Sequence, residues 1–311
     1  MKWESKPNCA DQREEESYGR KQFGRPEAKP LASRGDSHLP LHGSTRKILS
    51  RITREDFPCS PFIANMINRI AIKLFKQIKC KLVGYGNRRR FMNIFSEIYR
   101  RQKWGGKGSD QFCSGRGSRS PYVVKPYVET VRKFLKTYGE KKPIIVDLGC
   151  GDFEIGKNFI DYCSEYVAVD IIPELIRHHK LKRYPKKIKF CLIDIVNDRL
   201  PDGDVCFLRQ VLQHLDNMQI GRILPKLSKY KTVFITEHYP SDNPAIIPNK
   251  DKKEGANVRA SYNSGVYLDK PPFNIPGKCL ELVLEVSDPE FMKQWPYGGV
   301  TRTYKLQWAY S

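Results

Sequence analysis

Apolar positions along this chain change period several times. Ile144-Ile145-Val146, Tyr166-Val167-Ala168-Val169, Ile188 to Ile193, Val205-Cys206-Phe207-Leu208 and Thr232-Val233-Phe234-Ile235-Thr236 are short runs rich in β-branched and aromatic residues, as buried strands are. Helical spacing takes over between and before them. It shows in Phe91, Ile94, Phe95, Ile98 and Tyr99, in Val123 to Leu135, behind the first strand at Phe159 and Ile160, and from Met218 to Leu227. Leu280 to Val286 and Val300 to Leu306 alternate instead, which predicts a closing antiparallel pair. The pattern predicts an α/β fold with an open, mostly parallel sheet.

Upstream the reading is different. Residues 1–45 mix charges of both signs with prolines and glycines and have no periodic apolar pattern, so disorder is expected there. Residues 46–90 form a basic amphipathic helical extension with an excess of about ten positive charges. Phe62, Ile63, Met66, Ile67, Ile70, Leu74 and Phe75 recur at helical spacing, with Arg69, Lys73, Lys76 and Lys79 between them. Such a helix packs on a neighbouring domain, rests on anionic lipid through 62–82, or contacts nucleic acid; all three stay open.

Charge and cysteines narrow the setting. The formal net charge is +21. Nine cysteines are scattered without a CxxC pair, which suggests neither a disulfide framework nor a zinc site, and no metal is expected. The start of the chain has no apolar signal core and no run is long enough to span a bilayer. The expected location is the cytoplasm, with a peripheral membrane seat left open.

The chemistry concentrates at the strand ends. Asp147-Leu148-Gly149-Cys150-Gly151 closes the first strand with a carboxylate and a glycine turn that lets a ligand approach the backbone. Asp170 ends the second strand about 20 residues on, the spacing at which an acid meets ribose hydroxyls. A dinucleotide fingerprint needs a third glycine where Glu154 stands, and Asp152 and Glu154 would repel a diphosphate. A cationic nucleoside suits the site better.

These residues resemble the first motif of the class I S-adenosylmethionine-dependent methyltransferases, Asp/Glu-x-Gly-x-Gly, met here by Asp147, Gly149 and Gly151. The resemblance continues in order through Asp170, Asp194 at the end of the third strand, and the fourth strand, and covers roughly residues 91 to 308. It implies a seven-stranded doubly wound sheet of order 3-2-1-4-5-7-6 with strand 7 antiparallel, helices on both faces, and a catalytic domain at 91–311. It also implies S-adenosyl-L-methionine as cofactor. Asp147 would hold the methionyl ammonium, Gly149 and Gly151 the backbone approach, Asp170 the ribose and Asp194 the adenine amino group, with Arg209 at the fourth strand tip in the same set.

Substrate-side candidates follow from position. Trp104-Gly105-Gly106 and Ser114-Gly115-Arg116-Gly117-Ser118 resemble a segment that precedes the first strand in some bacterial methyltransferases of small molecules or glycans, and read as a lid. A forty-residue loop before Lys278, containing Tyr267, reads as a substrate-binding insertion. His238, His214 and the imidazole-orienting Glu237 are the candidate catalytic groups for a hydroxyl acceptor.

Three functions result: methylation of a small-molecule or glycan acceptor, RNA methylation favoured by the basic charge, and a catalytically inactive cofactor-binding protein. The fourth strand tip, Leu208-Arg209-Gln210-Val211, lacks the Asn/Asp-Pro-Pro-aromatic motif of exocyclic-amine methyltransferases. Asp269-Lys270-Pro271-Pro272-Phe273 is similar to it but falls after strand five and carries an extra lysine.

Overall fold

In a computed structural model, residues 88–106, 112–290 and 299–308 are described. The strands are β1 (Ile144–Leu148), β2 (Glu165–Asp170), β3 (Ile188–Leu192), β4 (Val205–Arg209), β5 (Thr232–Pro240), β6 (Leu280–Val286) and β7 (Gly299–Leu306). They form one sheet ordered β3-β2-β1-β4-β5-β7-β6. β1 to β5 run parallel and β7 runs antiparallel to both neighbours. This is the sheet that the sequence resemblance implies. The basic helix of 62–82 and the expected disorder of 1–45 lie outside the described residues.

Side chains alternate across the sheet, and both faces are covered. Ile145, Tyr166, Ala168, Val205, Phe207 and Phe234 share one apolar cluster with Tyr127, Val128, Val131 and Leu135 of a helix over Pro121–Lys136. Val146, Leu148, Val167, Val169, Leu208 and Ile235 share the other with Phe91, Phe95 and Tyr99 from a helix over 88–100, and with Ile220 and Ile223. Burial on both faces explains why the parallel strands read as nearly continuous apolar runs. Besides one α-helical turn over Arg116–Arg119, we number four longer α-helices α1 (88–100), α2 (Pro121–Lys136), α3 (Pro173–Leu181) and α4 (Asn217–Ile223).

Three expected elements differ in detail. The segment behind the glycine turn, Gly156–Tyr162, is a 3₁₀-helix. The Asn158 side-chain amide donates to the Glu154 and Ile155 carbonyls, competing for acceptors a regular ladder would use. α4 stops at Ile223 and continues as 3₁₀ turns over Leu224–Lys229, because Pro225 has no N–H to extend the α ladder. β5 runs four residues past Thr236, since β7 pairs with it as far as Pro240↔Gly299.

The long insertion is ordered without strands of its own. Arg259, fully buried, donates to the carbonyls of Lys250 and Leu215. Buried Asn249 donates to the Tyr267 and Pro271 carbonyls and accepts the Tyr267 amide. Two polar side chains thus satisfy backbone groups that a helix or sheet would otherwise satisfy.

Candidate active site

The carboxyl ends of the parallel strands open into a cavity of about 660 Å³. Its walls bring together Asp147, Gly149, Gly151, Asp170, Asp194, Arg209, Trp104, Gly115, Gly117, Ser118, His214 and His238 from the sequence set. Glu237 and Tyr267 do not line it.

Positive φ shapes the floor. Gly149 has φ 81° and Gly151 φ 52°, a region where side chains strain the backbone. A Cβ at 149 would also collide with Val211, and one at 151 with the Ser114 hydroxyl. The Asp170 carboxylate fastens this loop, accepting from the Gly151 amide at 3.1 Å and the Ile172 amide at 3.1 Å. Asp194 accepts from the Val196 amide at 2.9 Å and the Asn197 side-chain amide at 2.7 Å. Strand-end acids therefore shape their own turns as well as the cavity wall.

Buried acids give the cavity its electrostatic demand. Burial pushes the Asp147 carboxyl up to about 7, against the Tyr166 hydroxyl that donates to it at 2.9 Å, and nearby Asp170 adds to the rise. Burial likewise pushes Asp170 up to about 6 although backbone amides oppose it. A ligand with positive charge near these oxygens favours their ionised forms. Arg209 donates to the Ser118 carbonyl at 2.9 Å, and its guanidinium carbon stands 5.3 Å from the Tyr127 ring centroid. Its buried Nε has no hydrogen-bond partner among the described residues.

The Trp104 and Ser114–Ser118 segments both lie on the cavity wall. The Ser114 amide donates to Asp152 at 2.9 Å and the Asp152 amide to the Ser114 hydroxyl at 3.0 Å, while Arg119 forms an ion pair with the same carboxylate at 3.0 Å. Asp152 thus serves as the latch between this segment and the glycine turn. Trp104 donates from its indole to the Ala256 carbonyl at 3.1 Å, joining the insertion, and its ring centroid is 4.7 Å from that of His214.

The histidines differ in surroundings. His214 Nδ1 lies 3.0 Å from the Gly255 carbonyl, which can only accept, so Nδ1 carries the proton and Nε2 the lone pair. The Gln213 amide nitrogen approaches Nε2 at 3.5 Å. Burial lowers the His214 pKa to about 4, with Lys252 adding to the drop. His238 sits half-buried on β5 with Nδ1 3.4 Å from the Thr301 hydroxyl, and burial lowers it to about 4 as well.

Glu237 turns away from the cavity. Its carboxylate accepts the Val211, Leu212 and Gln213 amides at 3.2, 2.8 and 3.1 Å. It orients the chain that carries His214 rather than an imidazole. Tyr267 stacks edge-on against Tyr239, ring centroids 5.2 Å apart, because Asn249 pins its backbone amide. The insertion reaches the cavity through Ala256, Asn257 and Val258 instead. Tyr166 and Tyr127 line the site from a strand and a helix without a local signal in the sequence; Asp152, legible there as an acid that repels a diphosphate, is in addition the latch of the glycine turn.

Residues 146–224 match the family model described as a methyltransferase domain. This segment is a methyltransferase domain, and the chain acts as an S-adenosylmethionine-dependent methyltransferase. S-adenosyl-L-methionine is its cofactor. The methyltransferase has no match among curated proteins. Solved structures similar to it include the N-methyltransferase NodS from Bradyrhizobium japonicum, with 13% identity, 69% of this chain and 98% of that chain covered, and a TM-score of 0.47. Magnesium protoporphyrin IX methyltransferase from Synechocystis has 11% identity, covers 71% and 98%, and has a TM-score of 0.45. A 1,6-didemethyltoxoflavin-N1-methyltransferase from Burkholderia thailandensis has 12% identity, covers 70% and 89%, and has a TM-score of 0.42. At these values the three structures carry no information on the acceptor of this methyltransferase.

Proposed function

We propose that the enzyme methylates a hydroxyl of a small-molecule or sugar acceptor, with His214 as the base. The observation that carries this reading is the tautomer of His214: Nδ1–H donates to the Gly255 carbonyl, and burial keeps Nε2 unprotonated. A cavity of about 660 Å³ is within the usual range for small-molecule sites. Trp104 and the Ala256–Val258 segment bound it on the side of His214, which suits a compact acceptor better than a macromolecule.

Asp147 would hold the cofactor's ammonium, the Gly149–Gly151 turn its backbone approach, Asp170 its ribose and Asp194 its adenine amino group. Arg209, with a buried donor to spare, would meet its carboxylate. Bound there, S-adenosylmethionine supplies a methyl group already activated on a sulfonium. The protein's part is then alignment, worth roughly 7–11 kcal/mol when reacting atoms are held close, and removal of the acceptor proton at His214 Nε2. His238 lines the same cavity and would orient the acceptor.

The domain boundaries we propose are 91–311 for the catalytic domain and 46–90 for a basic extension. The proposed compartment is the cytoplasm, in keeping with unpaired cysteines among the described residues.

Tritiated cofactor offered with a panel of sugars and phenols, and separately with RNA, tests the reading. Labelled small hydroxyl compounds, lost in His214→Asn while cofactor affinity persists, are expected. Label entering RNA alone would overturn it.

A further inference from the structure

The end of the sheet opposite the cofactor cavity presents a rigid basic rim. α3 leads into Lys180-Leu181-Lys182-Arg183-Tyr184-Pro185-Lys186, which has four cations and no acid. Lys180, Lys182, Arg183 and Lys186 are all exposed and make no ion pair among the described residues. Neighbouring cations are already engaged: Lys187 donates to the Ile160 and Cys163 carbonyls, and Lys189 pairs with Glu165. The four form the available set.

The turn is anchored rather than loose. Tyr184 packs against Phe153 and Phe190, with ring centroids 5.6 and 5.1 Å away, and its hydroxyl lies 3.4 Å from His179 Nδ1. The Tyr166 amide donates to the Lys187 carbonyl at 2.9 Å and the Ser164 amide to the Pro143 carbonyl at 3.0 Å. Those bonds set the starts of β1, β2 and β3 side by side, so exposed Lys141 and Lys142 join the same rim. The field of this rim reaches inward, where Lys182 depresses both His178 and His179 after burial has done so.

Leu181 stands at the middle of the charged run and is 81% exposed. An anionic bilayer attracts the lysines and takes this apolar side chain below its headgroups. Binding to single-stranded nucleic acid draws on exposed aromatic platforms, and Tyr184, the aromatic ring of this run, is turned into the core.

We propose that the rim formed by Lys180, Leu181, Lys182, Arg183, Lys186, Lys141 and Lys142 is a docking surface for an anionic lipid bilayer. Docked this way, the enzyme holds its cofactor cavity away from the membrane, because α3 carries the chain from the cavity end of β2 to the opposite edge of the sheet. This places the acceptor in solution.

The test is sedimentation of the full chain with phosphatidylcholine vesicles, with and without phosphatidylglycerol. Wild type should sediment only with the anionic vesicles. Lys180→Gln/Lys182→Gln/Lys186→Gln should weaken partition about a hundredfold, at about fivefold per charge, while thermal midpoint and cofactor affinity stay unchanged. Leu181→Ser should weaken it without altering charge. The 62–82 segment is a second basic source, so Arg69→Gln/Lys73→Gln/Lys76→Gln/Lys79→Gln is the comparison. Binding abolished by that set and untouched by the rim set would overturn the proposal. So would rim-dependent binding of RNA with no binding to anionic vesicles.

Discussion

The Glu237 carboxylate accepts the Leu212 amide at 2.8 Å. One buried acid on β5 thereby fixes the turn after β4, since the adjacent Val211 and Gln213 amides use the same group. The turn needs fixing: Gln210 before it has φ 55°, and Val211 packs where a Cβ on Gly149 would otherwise stand. Cofactor floor and acceptor wall therefore share one support.

Removing that support has separable effects. Glu237→Ala leaves three amides without their acceptor and should lower stability by about 3 kcal/mol. Glu237→Gln keeps one acceptor oxygen for the Val211 and Leu212 amides but sets its NH2 against the Gln213 amide, and should lose about 2 kcal/mol. In the glutamine variant the Michaelis constant for the acceptor should rise while the proton inventory at His214 is unchanged. Denaturant unfolding with paired kinetics checks both. A stable Glu237→Ala with wild-type kinetics would remove the positioning role.

How much of this was legible in advance depends on the range of the interaction. Gly149 and Asp170 announce themselves because a strand end followed by a glycine turn is a local pattern, and so the sheet order followed from resemblance along the chain. Adjacency to His238 suggests an imidazole partner for Glu237, whose partners are instead 24 to 26 residues away. Tyr267 looked like an acceptor-facing aromatic, but Asn249 decides its direction from 18 residues off. Contacts across a sheet or an insertion leave no periodic trace.

Cofactor affinity should depend on pH with a definite sign. Without a cationic ligand, burial holds Asp147 near 7, above its ordinary 3.8. A bound ammonium stabilises the carboxylate and lowers that value, so binding releases a proton at and below neutrality. Affinity is then full above about pH 7 and declines as pH falls. Calorimetry in buffers of different ionisation enthalpy would detect the proton. No proton release at pH 6.5 and an affinity independent of pH would count against Asp147 as the ammonium's partner.

His214 should give no inflection near its ordinary 6.5, because burial and Lys252 hold it at about 4. The enzyme's kcat should hold steady as pH falls through neutrality and drop only as His214 takes up a proton near 4. His214→Asn should reduce kcat about a hundredfold or more. A wild-type profile with an imidazole inflection near 6.5 would point to another base.

The Gly151 turn makes a steric prediction. Gly151→Ala should lose cofactor binding, since the Ser114 hydroxyl occupies the space and φ is 52°. Gly151→Ala/Ser114→Gly should recover part of it, because one of the two obstacles is gone. Identical affinities for the single and double variants would place the whole penalty in the backbone angle.

The most direct test of the central claim is calorimetric titration of S-adenosylmethionine into wild type, Asp147→Ala and Asp170→Ala. Wild type should bind with an affinity on the order of micromolar, and both folded variants should lose it. A well-folded wild type that binds no cofactor would contradict the account.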